Sequence, residues 1–210
     1  MSIDRAGLPF IALAAVPAFI ALTARVPAVA AALLVLPAAI ALFFRDPDRT
    51  PPVASSLVLS PADGTVIFAG EGAPGQTPPG AWRQVTIFLS PLDVHINRAP
   101  VSGRVTRVEY RRGTFRPAYR PDAHQNEQSE IWFDHEGQAI VARQVVGVLA
   151  RRVVCRLKPG DLVPAGGRLG LMKFGSRMDV FVPMSATLAV APGQRVRGGE
   201  TIIARLSSEA

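Results

Sequence analysis

Pro159-Gly160-Asp161-Leu162-Val163-Pro164-Ala165-Gly166-Gly167 is echoed 33 residues later by Pro192-Gly193-Gln194-Arg195-Val196-Arg197-Gly198-Gly199-Glu200. Each copy runs Pro-Gly, then a valine, then Gly-Gly. Each is followed by a short apolar run, Leu169-Gly170-Leu171-Met172 or Thr201-Ile202-Ile203-Ala204. Proline and paired glycines punctuate turns and the apolar tetrapeptides have strand character, so each copy reads as one turn–strand unit. Outward from these units the same pattern fills the chain. Residues 57–59, 64–69, 84–89, 103–110, 130–133, 139–149 and 152–157 are short runs rich in β-branched or apolar side chains. The spacing predicts a mainly β domain over 57–210. Residues 71–80 form a Gly/Pro loop, and residues 115–128 are polar and helix-poor, the composition of a mobile loop.

Between the two copies stands Lys173-Phe174-Gly175-Ser176-Arg177-Met178-Asp179-Val180. Glycine leaves its carbonyl unshielded and tolerates strained backbone angles. The hydroxyl of Ser176 can attack the Gly175 carbonyl and turn the amide into an ester. Elimination from that ester cuts the chain and leaves dehydroalanine, which hydrolyses to a pyruvoyl group. A lone Gly-Ser pair is ordinarily just a turn, so the neighbours decide. The paired turn–strand units resemble the barrel-sandwich fold of lipoyl and biotinyl domains, whose matching hairpin presents a lysine. Met172-Lys173-Phe174 half-imitates that hairpin, so the competing reading is a non-catalytic, membrane-anchored lipoyl-like adaptor or carrier. Two upstream segments, Ser60-Pro61-Ala62-Asp63-Gly64 and Leu89-Ser90-Pro91-Leu92-Asp93-Val94-His95, have no place in a carrier.

These three segments, in this order, resemble the phosphatidylserine decarboxylase proenzymes in their short form, over residues from about 45 to 205. The resemblance implies a carboxy-lyase of phospholipid biosynthesis that cleaves itself at Gly175-Ser176. Ser176 becomes the pyruvoyl group, which takes the place of pyridoxal phosphate and forms a Schiff base with the substrate amine. The two products, 1–175 and 176–210, stay together as a large and a small chain. The resemblance also implies that His95 protonates the decarboxylated carbon, a role suited to a side chain that titrates near neutrality. Asp63 is implied as the acid that activates Ser176. The long form carries a second histidine three residues after the first, where this chain has Arg98. Either His95 then serves both steps, or Asp63 polarises the serine alone. Asp93, two residues before His95 on an extended run, is a candidate to orient the imidazole. Asn126 and Glu127 match an Asn-Glu pair of the family and are candidate substrate-loop residues. Arg98 and the cluster Arg104, Arg107, Arg111, Arg112, Arg116 and Arg120 are candidates for the lipid phosphate.

The N-terminal part is of another kind. Residues 8–24 and 26–44 carry no charge, and only Arg25 divides them. Runs of that length predict a membrane-associated helical hairpin over 1–44, followed by a proline-stiffened linker over 45–56. A hairpin puts Arg5 on the same side as Arg45 and Arg49, which the positive-inside rule makes the cytoplasmic face of the cell membrane. The chain carries a net charge of +7. Beside a membrane anchor, that charge reads as attraction to anionic headgroups. The thin aromatic interleaving in the arginine cluster argues against nucleic acid. Cys155 is alone, in an apolar run, and reads as a buried thiol. The scattered His95, His124 and His135 lack ligand spacing, so no metal is inferred.

Overall fold

The computed structural model describes residues 2–148, 153–172 and 176–207. The chain divides into two units, Met1–Asp48 and Arg49–Ala210. The first is helical. Strands β1 (Ser2–Ile3) and β2 (Arg45–Asp46) pair antiparallel and bracket α1 (Leu8–Thr23), α2 (Pro27–Leu33) and α3 (Val35–Phe43). The chain reverses at Arg25, whose φ is 60°. The second apolar stretch is not one helix. Pro37 has no N–H to give the Leu33 carbonyl, so α2 ends there and α3 starts anew. The span Arg5–Thr23 is long and apolar enough to cross a membrane, and only 17 % of it is buried. Leu13, Phe19, Ile20 and Leu22 lie exposed along it.

The second unit is β-rich. It contains β3 (Leu57–Leu59), β4 (Gly64–Glu71), β5 (Trp82–Leu89), β6 (Ile96–Arg98), β7 (Gly103–Arg111), β8 (Gln128–His135), β9 (Gln138–Val145), β10 (Val153–Cys155), β11 (Leu162–Val163), β12 (Arg168–Met172), β13 (Ser176–Pro183), β14 (Thr187–Leu188), β15 (Arg195–Val196) and β16 (Ile202–Arg205). An eight-stranded antiparallel sheet runs β11-β7-β8-β9-β13-β5-β4-β15, beside two three-stranded sheets, β10-β12-β6 and β14-β16-β3. The mainly β class with an N-terminal helical hairpin is as expected. The finer likeness to lipoyl domains rests on the paired turns alone.

Those turns occupy equivalent places. Strands β11 and β15 form opposite edges of the large sheet, and β12 and β16 enter the two small ones. The Gly160 N–H donates to Val105 O at 2.8 Å, as Gly193 N–H does to Val66 O at 2.8 Å. Asp161 and Gln194 each accept a hydrogen bond from the main chain three residues back, at Lys158 and Ala191. Arg98 lies between the copies: its guanidinium donates to Gly166 O at 3.0 Å, and a Cβ on Gly199 would press on its Cδ at 2.9 Å. Glycine is needed there because the arginine fills the space a side chain would take.

One face of the large sheet is the core. Met178, Val180 and Val182 meet Val85, Ile87, Ile131, Phe133, Ile140 and Ala142, closed over by Val58, Val101, Leu169, Met172 and Ile203. Burial of such side chains is the main driving term of the fold. The other face carries Arg177, Asp179 and Phe181. Arg177 is paired to Asp179 at 3.0 Å, and Arg143 to Glu130 at 2.7 Å. The loop at 71–80 packs there through Gln76 O, which accepts from Arg143. The loop at 115–128 is less open than its composition suggests, with a short 3-10 turn at Pro121–Gln125 and a bridge from Thr114 to Asn126. Cys155 is half-buried against the core, not fully enclosed.

Candidate active site

Ser176 is the first residue of β13 and pairs with Leu89, the last of β5. Alternation puts its side chain on the core face with Met178. It is 0 % exposed, and its Oγ has no hydrogen-bond partner among the described residues. Gly175, the other half of the expected cut, lies outside the described residues, as do Lys173 and Phe174. Strand β12 ends at Met172, whose N–H donates to His95 O at 3.3 Å. The chain therefore leaves β12 beside His95 and re-enters the sheet at Ser176 beside the end of β5, from which the His95 turn springs. Ser176 and His95 therefore both lie at the end of the sheet where β5 and β12 finish.

His95 is buried, and its Nδ1 lies 2.8 Å from Asp93 O. A carbonyl can only accept, so Nδ1 carries the proton and the lone pair of the neutral ring sits on Nε2. The expectation that the Asp93 carboxylate orients the ring is therefore corrected: its main-chain oxygen does so. The carboxylate closes the turn by accepting from Ser90 N–H at 2.8 Å, and Arg195 clamps it from outside. Burial pushes the Asp93 carboxyl up, but hydrogen bonds from Arg195 and Ser90 outweigh it and hold the group below the usual aspartate value.

Asp63 lies next to Gly64, at the same end of the sheet as Ser176, with β5 between them. No hydrogen bond among the described residues joins it to Ser176 or His95. Its carboxylate takes two bonds from Arg49, at 2.8 and 3.0 Å, and one from Gly198 N–H at 2.7 Å. Arg49 also reaches Glu200 at 3.2 Å. Arg98 is buried between the glycine turns, with its guanidinium on Gly166 O rather than turned to the surface. The difference from expectation follows from its place between the two copies.

Asn126 is fully buried and staples its loop. Its Oδ1 accepts from Thr114 Oγ1 and Arg116 N–H, and its Nδ2 donates to Arg116 O and Val146 O, all within 2.9 Å. Glu127 continues the staple through its main chain, which bonds Thr114 and Val146. The arginine cluster divides. Arg107 stacks on Trp132 at 4.0 Å and pairs with Glu109, and Arg104 reaches Gly160 O, both toward the far end of β7. Arg111 pairs with Gln128, Gln128 with Val145, and Val145 with Arg177, so Arg111 to Arg120 begin at the Ser176 end of the sheet. Among the described residues no group of three or more His, Cys, Asp or Glu is gathered as a metal site would require.

Sequence reading missed Asn97, Gln144, Arg49 and Arg195. Asn97 and Gln144 are fully buried and joined by a 2.8 Å hydrogen bond from Gln144 Nε2 to Asn97 Oδ1. Asn97 stands two residues after His95. Gln144 is opposite Met178, two residues from Ser176 on the same face. The signal was available in part, as a glutamine next to Arg143 in an otherwise apolar strand, but which of the two points inward depends on register.

Comparison with known proteins gives a consistent result. A family model described as phosphatidylserine decarboxylase matches residues 36–204. A protein of Anaplasma phagocytophilum is 48 % identical over 175 residues, covering 80 % of this chain and 76 % of that one. One of Nocardia farcinica is 43 % identical over 211 residues, 96 % of this chain and 86 % of the other. One of Pelodictyon phaeoclathratiforme is 45 % identical over 164 residues, 78 % and 77 % respectively. All three are named phosphatidylserine decarboxylase proenzyme.

Proposed function

The chain belongs to the phosphatidylserine decarboxylase family, and on that premise we propose how its own residues carry the reaction. It is an enzyme of that type, removing the serine carboxyl of phosphatidylserine to leave phosphatidylethanolamine. In our reading it matures by cutting itself between Gly175 and Ser176. The Ser176 Oγ attacks the Gly175 carbonyl and yields its proton to a base, so the amide becomes an ester. Loss of the residue-176 α-proton then expels the Gly175 carboxylate. Water adds to the resulting dehydroalanine, and ammonia leaves. The observation that carries this is the Ser176 hydroxyl itself, fully buried with no partner among the described residues. Structural serines at that depth are hydrogen-bonded.

A pyruvoyl group at residue 176 supplies an electron-withdrawing carbonyl that stabilises the charge left as carbon dioxide departs. The chain's own part is proton handling and exclusion of water. His95, with its proton fixed on Nδ1, offers Nε2 to take the Ser176 proton during maturation, and as an imidazolium returns one to the substrate carbon. We assign both steps to His95, because the Asp63 carboxylate is already engaged by the Arg49 guanidinium and the Gly198 N–H. Asp63 instead ties the segments. With Arg49 and Glu200 it links 1–175 to 176–210. Strand β13 lies between β9 and β5, so the two products hold together as one heterodimer after the cut.

The apolar span Arg5–Thr23 serves as a membrane anchor, and Arg5 and Arg45 favour the cytoplasmic side. At the Ser176 end of the sheet, Leu92, Phe115, Tyr119 and Val148 are exposed beside Arg112, Arg116 and Arg120. Apolar side chains among arginines suit the interface of an anionic bilayer, where the substrate lies. The test is an intact mass of the purified chain and of Ser176→Ala. Two fragments meeting at 175/176, the smaller lighter by one ammonia than a serine-ended peptide, are expected from the wild type only. A single uncut, inactive wild-type chain in membranes would overturn the proposal.

A further inference from the structure

At the Ser176 end of the large sheet the interior of the second unit holds a polar pair. There Asn97 and Gln144, both fully buried, bond to each other and are left incomplete: Asn97 Nδ2 and Gln144 Oε1 have no partner among the described residues. Native interiors rarely leave such atoms unmet, since each costs the desolvation of a polar group. Turning both amides exchanges their roles and leaves the same balance, one set of N–H donors and one carbonyl acceptor. A structural amide pair gains nothing from this. A pair that waits for a ligand does.

We propose that Asn97 and Gln144 form the subsite that recognises the zwitterionic end of the serine headgroup, the amide N–H groups donating to the α-carboxylate and the amide oxygen accepting from the α-ammonium. This rests on the decarboxylase reading and deepens it. The unmet groups are the complement of an α-amino acid, which carries acceptor and donor on one carbon. Their place fits, since Asn97 follows His95 by two residues and Gln144 is opposite Met178, two residues from Ser176. Their lack of charge fits as well. The carboxylate disappears as carbon dioxide leaves, so a cation set against it would stabilise the ground state more than the transition state. Neutral amides fix the carboxylate in position with little of that penalty.

The experiment uses the full chain after self-cleavage, treated with borohydride so that the pyruvoyl carbonyl is reduced and bound lipid cannot react. Short-chain phosphatidylserine and short-chain phosphatidylethanolamine are titrated calorimetrically into wild type, Asn97→Leu and Gln144→Met. Both substitutions replace a buried amide by an apolar group of similar volume, which interiors tolerate. Wild type should prefer the serine lipid. Each variant should lose about 10- to 100-fold in affinity for it, the size of one hydrogen bond to a charged group, with the ethanolamine lipid changed less. The unreduced variants should show a matching fall in kcat/KM. Unchanged discrimination in either processed variant would overturn the inference while leaving the enzyme reading intact. If Asn97→Leu does not process, Gln144→Met alone decides. A wild type with no reducible carbonyl would instead sink the reading beneath it.

Discussion

Replacing Arg195 by methionine should slow decarboxylation without stopping maturation. Arg195 is mostly exposed, with 64 % of its side chain open, but the Asp93 carboxylate it holds is only 6 % exposed. An exposed ion pair contributes at most about 1 kcal/mol, so the fold survives, with a melting temperature lower by about 2–4 °C for a protein of this size. The kinetic effect is larger, because Asp93 closes the turn whose last carbonyl fixes the His95 tautomer. A proton donor displaced by a fraction of an ångström typically costs at least tenfold, so kcat should drop about 10-fold with KM nearly unchanged. Arg195→Lys should recover part of it. The pH dependence follows from Asp93. Its folded value is held below the ordinary 3.8, so the stabilisation from Arg195 is present above that value and fades as pH falls through the lowered one. Wild type and variant should differ in melting temperature at neutral pH and converge in strong acid. The assay is steady-state turnover of serine lipid in mixed micelles, normalised to pyruvoyl content. Equal kcat in fully processed Arg195→Met would refute the argument.

Other outcomes follow from the same contacts. Asn126→Ala removes a buried amide with four partners and should cost about 2–3 kcal/mol of stability, read as a lower denaturation midpoint. Arg112→Glu with Arg120→Glu should weaken turnover of phosphatidylserine in anionic vesicles several-fold and flatten its salt dependence, yet leave turnover of a monomeric short-chain substrate unchanged. Arg98→Met should destabilise the fold by about 1–3 kcal/mol, since it leaves the Gly166 carbonyl without its donor. The product of self-cleavage should still appear, by gel, in whatever fraction folds.

The strands were legible because their patterns are local. Gly64 to Ala69, Gln84 to Leu89 and Gly103 to Tyr110 each alternate or run apolar between turn residues, and each became the body of β4, β5 or β7. The N-terminal hairpin was legible from its two uncharged runs, and the break in its second half falls at Pro37, whose missing N–H is written in the sequence. The candidate site could be proposed from sequence only where chemistry is written in a residue type, as with Ser176 and His95. Side-chain partners across the fold were not. Asp93 was expected to orient His95 and Asp63 to activate Ser176. What separates them is that Arg195 and Arg49, 102 and 14 residues away, reach them. The surroundings of Arg98 were hidden for the same reason, since they come from two turns distant in sequence.

Those two turns make the case for a one-sided site. They are bonded alike and bind opposite edges of the same sheet, yet at the equivalent position the first copy has Leu162 and the second Arg195. Leu162 pairs with Arg104, at the far end of β7 from Arg111, and is exposed. Arg195 pairs with Thr65 and holds Asp93 in the His95 turn. A turn that served only to close the sheet would have no use for the difference, since both copies close it equally well. The second copy goes further. Its Gly198 N–H binds Asp63 and its Glu200 binds Arg49, neither of which has a counterpart in the first among the described residues. If a swap of Leu162 and Arg195 left processing and turnover unchanged, the symmetry would be mere scaffolding on both sides. Loss of turnover with retention of fold would mean that the duplicated turn has been recruited, on one side only, to hold His95 in place.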